Sequence, residues 1–86
     1  MRIEIKKNSL IFREEAKSLE KLAKKKLKQS DSVSLDFSNL KFFSRSFADE
    51  LLNVLARQKS IKIVNLPLHL EKFLKIVKKT KKDISG

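Results

Sequence analysis

The stretch from Ser34 to Leu55, SLDFSNLKFFSRSFADELLNVL, does more than any other to limit what this chain can fold into. Val33, Leu35 and Phe37 alternate with Ser34, Asp36 and Ser38, the period of a strand with one apolar face. After a short connection the period changes. Phe47, Leu51 and Leu55, joined by Ala48, Leu52 and Val54, make the broad apolar face of a helix. A strand that feeds serines into a helix start within so few residues predicts an α/β unit. It also sets Ser44 and Ser46 at a polar corner, where free backbone N–H groups can meet an anion.

The remaining elements are short. Arg2 to Lys6 alternates, with Ile3 and Ile5 on one side. Lys7-Asn8 reads as a turn and Ser9 to Phe12 as a second strand, which predicts a hairpin. Arg13 to Gln29 has helical spacing, with Ala16, Leu19, Ala23 and Leu27 along one stripe. Glu14 and Glu15 in its first turn and the lysines from Lys24 in its last suit the helix dipole. Gln29 to Ser32 is a polar break, Val33 to Ser38 a strand, and Asn39 to Phe43 a connection. The next helix is expected from Ser46 to Gln58, with Ser46 and Asp49 spaced as a capping box and Ser44 as a competing cap. Ile61 to Val64 is a strand. Pro67 opens a third helix that Asn65 is positioned to cap, with Leu66, Leu70, Phe73, Leu74 and Val77 on its buried side.

The order β-β-α-β-α-β-α predicts an α/β two-layer sandwich: a four-stranded mixed sheet with three helices mainly on one face. Strand, helix and strand from Val33 to Val64 should form a crossover between parallel strands. Because every strand alternates, the opposite sheet face is expected to carry Arg2, Glu4, Lys6, Ser34, Asp36 and Lys62 into solvent. Residues 1–78 read as one domain and 79–86 as a polar tail that frays.

Composition narrows the chemistry. No apolar run approaches the roughly 18 residues of a membrane span. MRIEIKK alternates charge with isoleucine where a signal peptide would build an apolar segment, so a soluble cytoplasmic protein is expected. Without cysteine there is no thiolate metal site and no thiol nucleophile. The single glycine, Gly86, rules out a glycine-rich phosphate loop. His69 has no cysteine or second histidine to share a zinc ion with, and no spacing supports a Ser46-His69-Asp36 triad. No catalytic residue, metal or cofactor is therefore expected, and the chain reads as a non-enzymatic protein.

Net charge is +11, and only four of the 21 basic residues are arginine, the better bidentate group for phosphates and bases. Lys24, Lys25 and Lys28 close the first helix, and Lys78 and Lys79 lie in the C-terminal cluster. Consecutive lysines point in different directions around a helix, so both clusters read as solvated surface, with nucleic-acid binding as the alternative. At the corner, Ser44 and Ser46 have two readings, helix cap or phosphorylation site. Asp36, disfavoured inside a strand, either holds the Ser44 corner by hydrogen bonds, serves as a site carboxylate, or faces solvent without a role. Asp49 is placed to interact with the helix N-terminus.

The segment LDFSNLKFFSRSFADELL resembles the STAS-like domains, relatives of bacterial anti-sigma factor antagonists, in its LD-hydrophobic-S strand, hydrophobic pair and serine-containing helix start. The upstream SLIFREEA is similar to the strand-to-helix passage of the same group, so the resemblance spans about residues 9 to 65. It implies a small α/β fold and a regulatory role in protein–protein interaction. The implied partner is a regulatory protein such as a kinase-like anti-sigma factor, an ATPase or a DNA-binding regulator. In the antagonists a kinase phosphorylates a serine at the helix start, and the added charge blocks binding. Here Ser44-Arg45-Ser46-Phe47-Ala48 stands in place of Asp-Ser-Ser/Thr-Gly-Leu, with Arg45 at the phosphoacceptor position and Ser46 at the next hydroxyl. What the resemblance carries over is a docking surface: Ser44, Arg45, Ser46 and the exposed side of that helix, including Asp49.

Overall fold

The computed structural model describes the backbone of residues 1–85 and the side chains of residues 1–80. Its elements are β1 (Arg2–Glu4), β2 (Ser9–Leu10), α1 (Arg13–Lys26), β3 (Val33–Asp36), β4 (Phe42–Phe43), α2 (Arg45–Arg57), β5 (Ile61–Val64) and α3 (Leu68–Ser85). The alternating strands form a sheet in the order β1-β3-β5, every pair parallel. Ile3 lies opposite Leu35, and Leu35 opposite Ile63, so the apolar positions of the three strands fall on one face. That face packs into a core with Val33, Phe37, Phe47, Leu51, Val54 and Leu70.

The single four-stranded mixed sheet expected above is instead two sheets, of three and two strands. The hairpin is absent. β2 runs parallel to β4, a strand inside the segment read as a connection, with Ser9 opposite Phe42 and Leu10 opposite Phe43. Two physical reasons favour this pairing. Lys7-Asn8 contains no glycine to supply the positive φ of a two-residue hairpin turn. Pairing with β4 also buries Leu10 and Phe43 almost completely, and burial of such side chains contributes about 1.5–3 kcal/mol each. The Ile5 N–H donates to the Asp36 carbonyl at 3.0 Å, so β1 stays bonded to β3 until the chain turns away.

The helices bury the stripes read from their spacing. In α1, Ala16 and Ala23 are fully buried, and their small size lets α1 lie close against α2. The helix stops at Lys26, short of Gln29, because Lys28 and Gln29 bond back only three residues, to the carbonyls of Lys25 and Lys26. α2 lies between the other two helices and packs on both. Its Phe47 meets Phe43 of β4 at a ring-centroid distance of 5.9 Å, and Phe43 meets Phe73 of α3 at 5.5 Å, linking the small sheet to the helical layer. α3 starts one residue after Pro67, whose carbonyl accepts from the N–H groups of Leu70 and Glu71, and it continues through the polar segment to Ser85. Gly86 lies outside the described residues. No described helix is long and apolar enough to cross a membrane.

Candidate functional site

The corner where β4 passes into α2 is built around Ser44. Its N–H donates to the Leu10 carbonyl at 3.0 Å, its hydroxyl donates to the carbonyl of Ile11, and its Oγ accepts from the Phe47 N–H at 3.0 Å. Ser44 is therefore the N-cap, and the capping role expected first of Ser46 is corrected. The N-cap lies two residues earlier than the Ser46–Asp49 spacing suggested, because the β2–β4 pairing fixes Ser44 in extended geometry beside Leu10. Arg45 and Ser46 then occupy the exposed first turn.

Beside this corner lies a group of exposed apolar side chains. On the small sheet Leu10 and Phe43 point inward, and strand alternation turns Phe42 and the following Ile11 outward. Phe42 is 52% exposed, Ile11 39% and the adjacent Phe12 65%. Leu68, also exposed, precedes His69, whose Nε2–H donates to the Lys41 carbonyl at 3.1 Å and ties the start of α3 to the residue that leads into β4. A carbonyl can only accept, so this bond fixes the proton on Nε2.

Asp36 does not reach Ser44, and it does not face solvent. It is buried at the end of β3, where its carboxylate pairs with Arg2 of β1 and accepts from the Ser38 N–H at 2.9 Å and from Asn65 Nδ2 at 3.3 Å. Arg2, then the Ser38 N–H, hold this carboxyl well below the usual range. Asn65 turns with φ of 57°, a left-handed conformation that asparagine tolerates, and its amide serves Asp36 where a cap for α3 was expected. Asp36 thus clasps residues of β1, β3 and the end of β5. With Asp36 and His69 engaged elsewhere, no Ser46-His69-Asp36 arrangement forms.

Asp49 lies half-buried on the α1 side of α2, its carboxylate 3.3 Å from Arg13. The next residue, Glu50, is buried and accepts from Arg13 at 3.1 Å, Asn53 at 3.3 Å and Arg57 at 3.3 Å. Burial pushes the Glu50 carboxyl up, but the bonds from Asn53, Arg57 and Arg13 together outweigh it and hold the group below its ordinary value. Arg57 also reaches Glu20 of α1 at 3.0 Å, and that bond lowers the Glu20 carboxyl. This clamp, with Glu50 at its centre, was missed from sequence because its partners stand 37 and 7 residues away. It also removes Asp49 from a free docking face. Since α2 is flanked by two helices, its well-exposed residues are confined to Arg45, Ser46, Ala56 and Arg57.

Of the lysines singled out in sequence, Lys24, Lys25, Lys28, Lys78 and Lys79 are all exposed. They do not form one surface. Lys24 borders a groove between α1 and α2, and Lys78 an apolar groove between α2 and α3 floored by Ile63.

A protein-family model described as a STAS-like domain of unknown function (DUF4325) matches residues 15–68. The match runs from the first turn of α1 through the corner and α2 to the start of α3. No curated protein and no solved structure matches the chain.

Proposed function

The chain belongs to the STAS-like domains of unknown function, and on that footing we propose that it is a non-enzymatic regulatory module that docks a partner protein through the Ser44–Ser46 corner. The observation that carries this reading is the exposed apolar pair Ile11 and Phe42 on the outer side of the small sheet next to that corner, with exposed Phe12 following at the start of α1. Apolar side chains gathered at the surface and rimmed by polar groups mark interaction sites, and aromatic anchors supply a large part of such binding energy. Arg45 and Ser46 form the polar rim. The partner class is the one implied by the family likeness: a regulatory protein such as a kinase-like anti-sigma factor, an ATPase or a DNA-binding regulator.

Ser46 is the better candidate phosphoacceptor of the two serines, because the Ser44 hydroxyl is already committed at both ends. A phosphate on Ser46 would sit in the first turn of α2, where negative charge is favoured, and would change the rim without unmaking the cap. The test starts with a tagged chain expressed in its native host and quantification of what co-purifies. The captured protein is then produced separately, and its affinity measured for wild type, Phe42→Ser and Ser46→Asp. Each variant is expected to bind roughly tenfold more weakly or worse, with a melting temperature near wild type. Wild-type affinity in both folded variants would refute this docking surface.

A further inference from the structure

The groove between α1 and α2 collects basic side chains that their sequence clusters do not suggest. Arg13, Lys17, Lys21 and Lys24 of α1 and Arg57 of α2 line it together with the carboxylates Glu14, Glu20 and Glu50. The arginines are spoken for: Arg13 binds Asp49 and Glu50, and Arg57 binds Glu20 and Glu50. Lys17, Lys21 and Lys24 are exposed and, among the described residues, make no salt bridge. Four and three residues apart, they share one face of α1, with spacings of about 6 and 4.5 Å along its axis. Lys25, one residue further on, is turned about 100° away and does not border the groove.

We propose that the Lys17–Lys21–Lys24 row of α1 binds the phosphate backbone of nucleic acid without reading its sequence. The lining of the groove favours this ligand over an acidic protein. Every lining residue is charged or serine, whereas the centres of protein–protein interfaces are rich in aromatic side chains and poor in lysine. Nucleic-acid interfaces are polar, positively charged and wet. The chain's net charge of +11 adds a long-range field that draws a polyanion toward this row. The groove offers little for base recognition: its arginines, the commonest bidentate base readers, are tied to carboxylates, and no aromatic residue lines it for stacking. Binding should therefore be electrostatic and indifferent to sequence. This surface is separate from the Ser44–Ser46 corner and stands without the docking proposal.

The test is fluorescence anisotropy with labelled mixed-sequence DNA, as a duplex and as a single strand of the same length, between about 50 and 200 mM salt. The tighter of the two identifies the form of backbone preferred. Each phosphate contact contributes about 0.9 to the slope of log affinity against log salt on a duplex and about 0.7 on a single strand. Lys17→Gln/Lys21→Gln/Lys24→Gln is thus expected to flatten the slope by about 2 to 3, while circular dichroism still reports native helix. The control Lys72→Gln/Lys78→Gln/Lys79→Gln on α3, three exposed lysines that likewise make no salt bridge among the described residues, should leave the slope nearly unchanged. An equal loss in the control overturns the assignment to α1, and absence of DNA binding by the wild type overturns the proposal. So does polyglutamate binding as tightly as DNA at equal charge, which would identify an acidic protein as the ligand.

Discussion

At the scale of single residues, the polar side chains that matter most have their partners far away in the chain. Ser44 closes the start of α2 and at the same time holds the end of β2 through the Ile11 carbonyl. Ser44→Ala is accordingly expected to lower stability by about 1–2 kcal/mol, the cost of losing an N-cap hydroxyl. Ser46→Ala, at an exposed first-turn position, should stay within about 0.5 kcal/mol of wild type. Urea denaturation of the two variants checks this, and the reverse ranking would return the cap to Ser46. Sequence reading narrowed the cap to these two serines but ranked Ser46 first, because local spacing was the only signal and β2 pairing could not be seen. For Asp36 the sequence flagged an unusual residue in a strand without revealing why it is there. The reason is the convergence of Arg2, Ser38 and Asn65 on its carboxylate.

Among the elements, the start of α1 carries a measurable pH signature. Glu15 accepts from Lys7 at 2.8 Å and from the N–H groups of Phe12 and Ile11 at 3.0 and 2.9 Å. Lys7 first, then those two backbone donors, lower its carboxyl from 4.5 to about 2. A carboxyl depressed on folding stabilises the native state fully above its unfolded value, and the benefit is lost as pH falls from about 4.5 to about 2. Wild type should therefore lose stability across that window more steeply than Glu15→Gln, as followed by urea midpoints at successive pH values. Parallel curves would show that Glu15 contributes nothing there. The apolar stripes of all three helices were legible because a period of 3.6 leaves its mark in sequence. The row Lys17, Lys21, Lys24 has the same kind of spacing and could have been read too.

For the molecule as a whole, the excess of 21 basic over 10 acidic residues sets a background repulsion that the described ion pairs offset only locally. Raising salt screens that repulsion, so the melting temperature should climb between about 50 and 500 mM sodium chloride. A fall would mean that the ion pairs outweigh the net charge. The amino-acid sequence by itself determined the α/β class, the positions of three helices, the inward sides of β3 and β5, and membership of a STAS-like family, since each depends on local period or on a contiguous motif. Only the tertiary structure decided that β2 joins β4 in a second parallel sheet, that Asp36 is buried in a clasp, and that Glu50 links α1 to α2. The physical reason is the same in each case. Strand partners and buried charges are chosen by the apolar area removed from water and by sets of donors that include residues 29 and 37 positions away, neither of which leaves a mark on neighbouring positions.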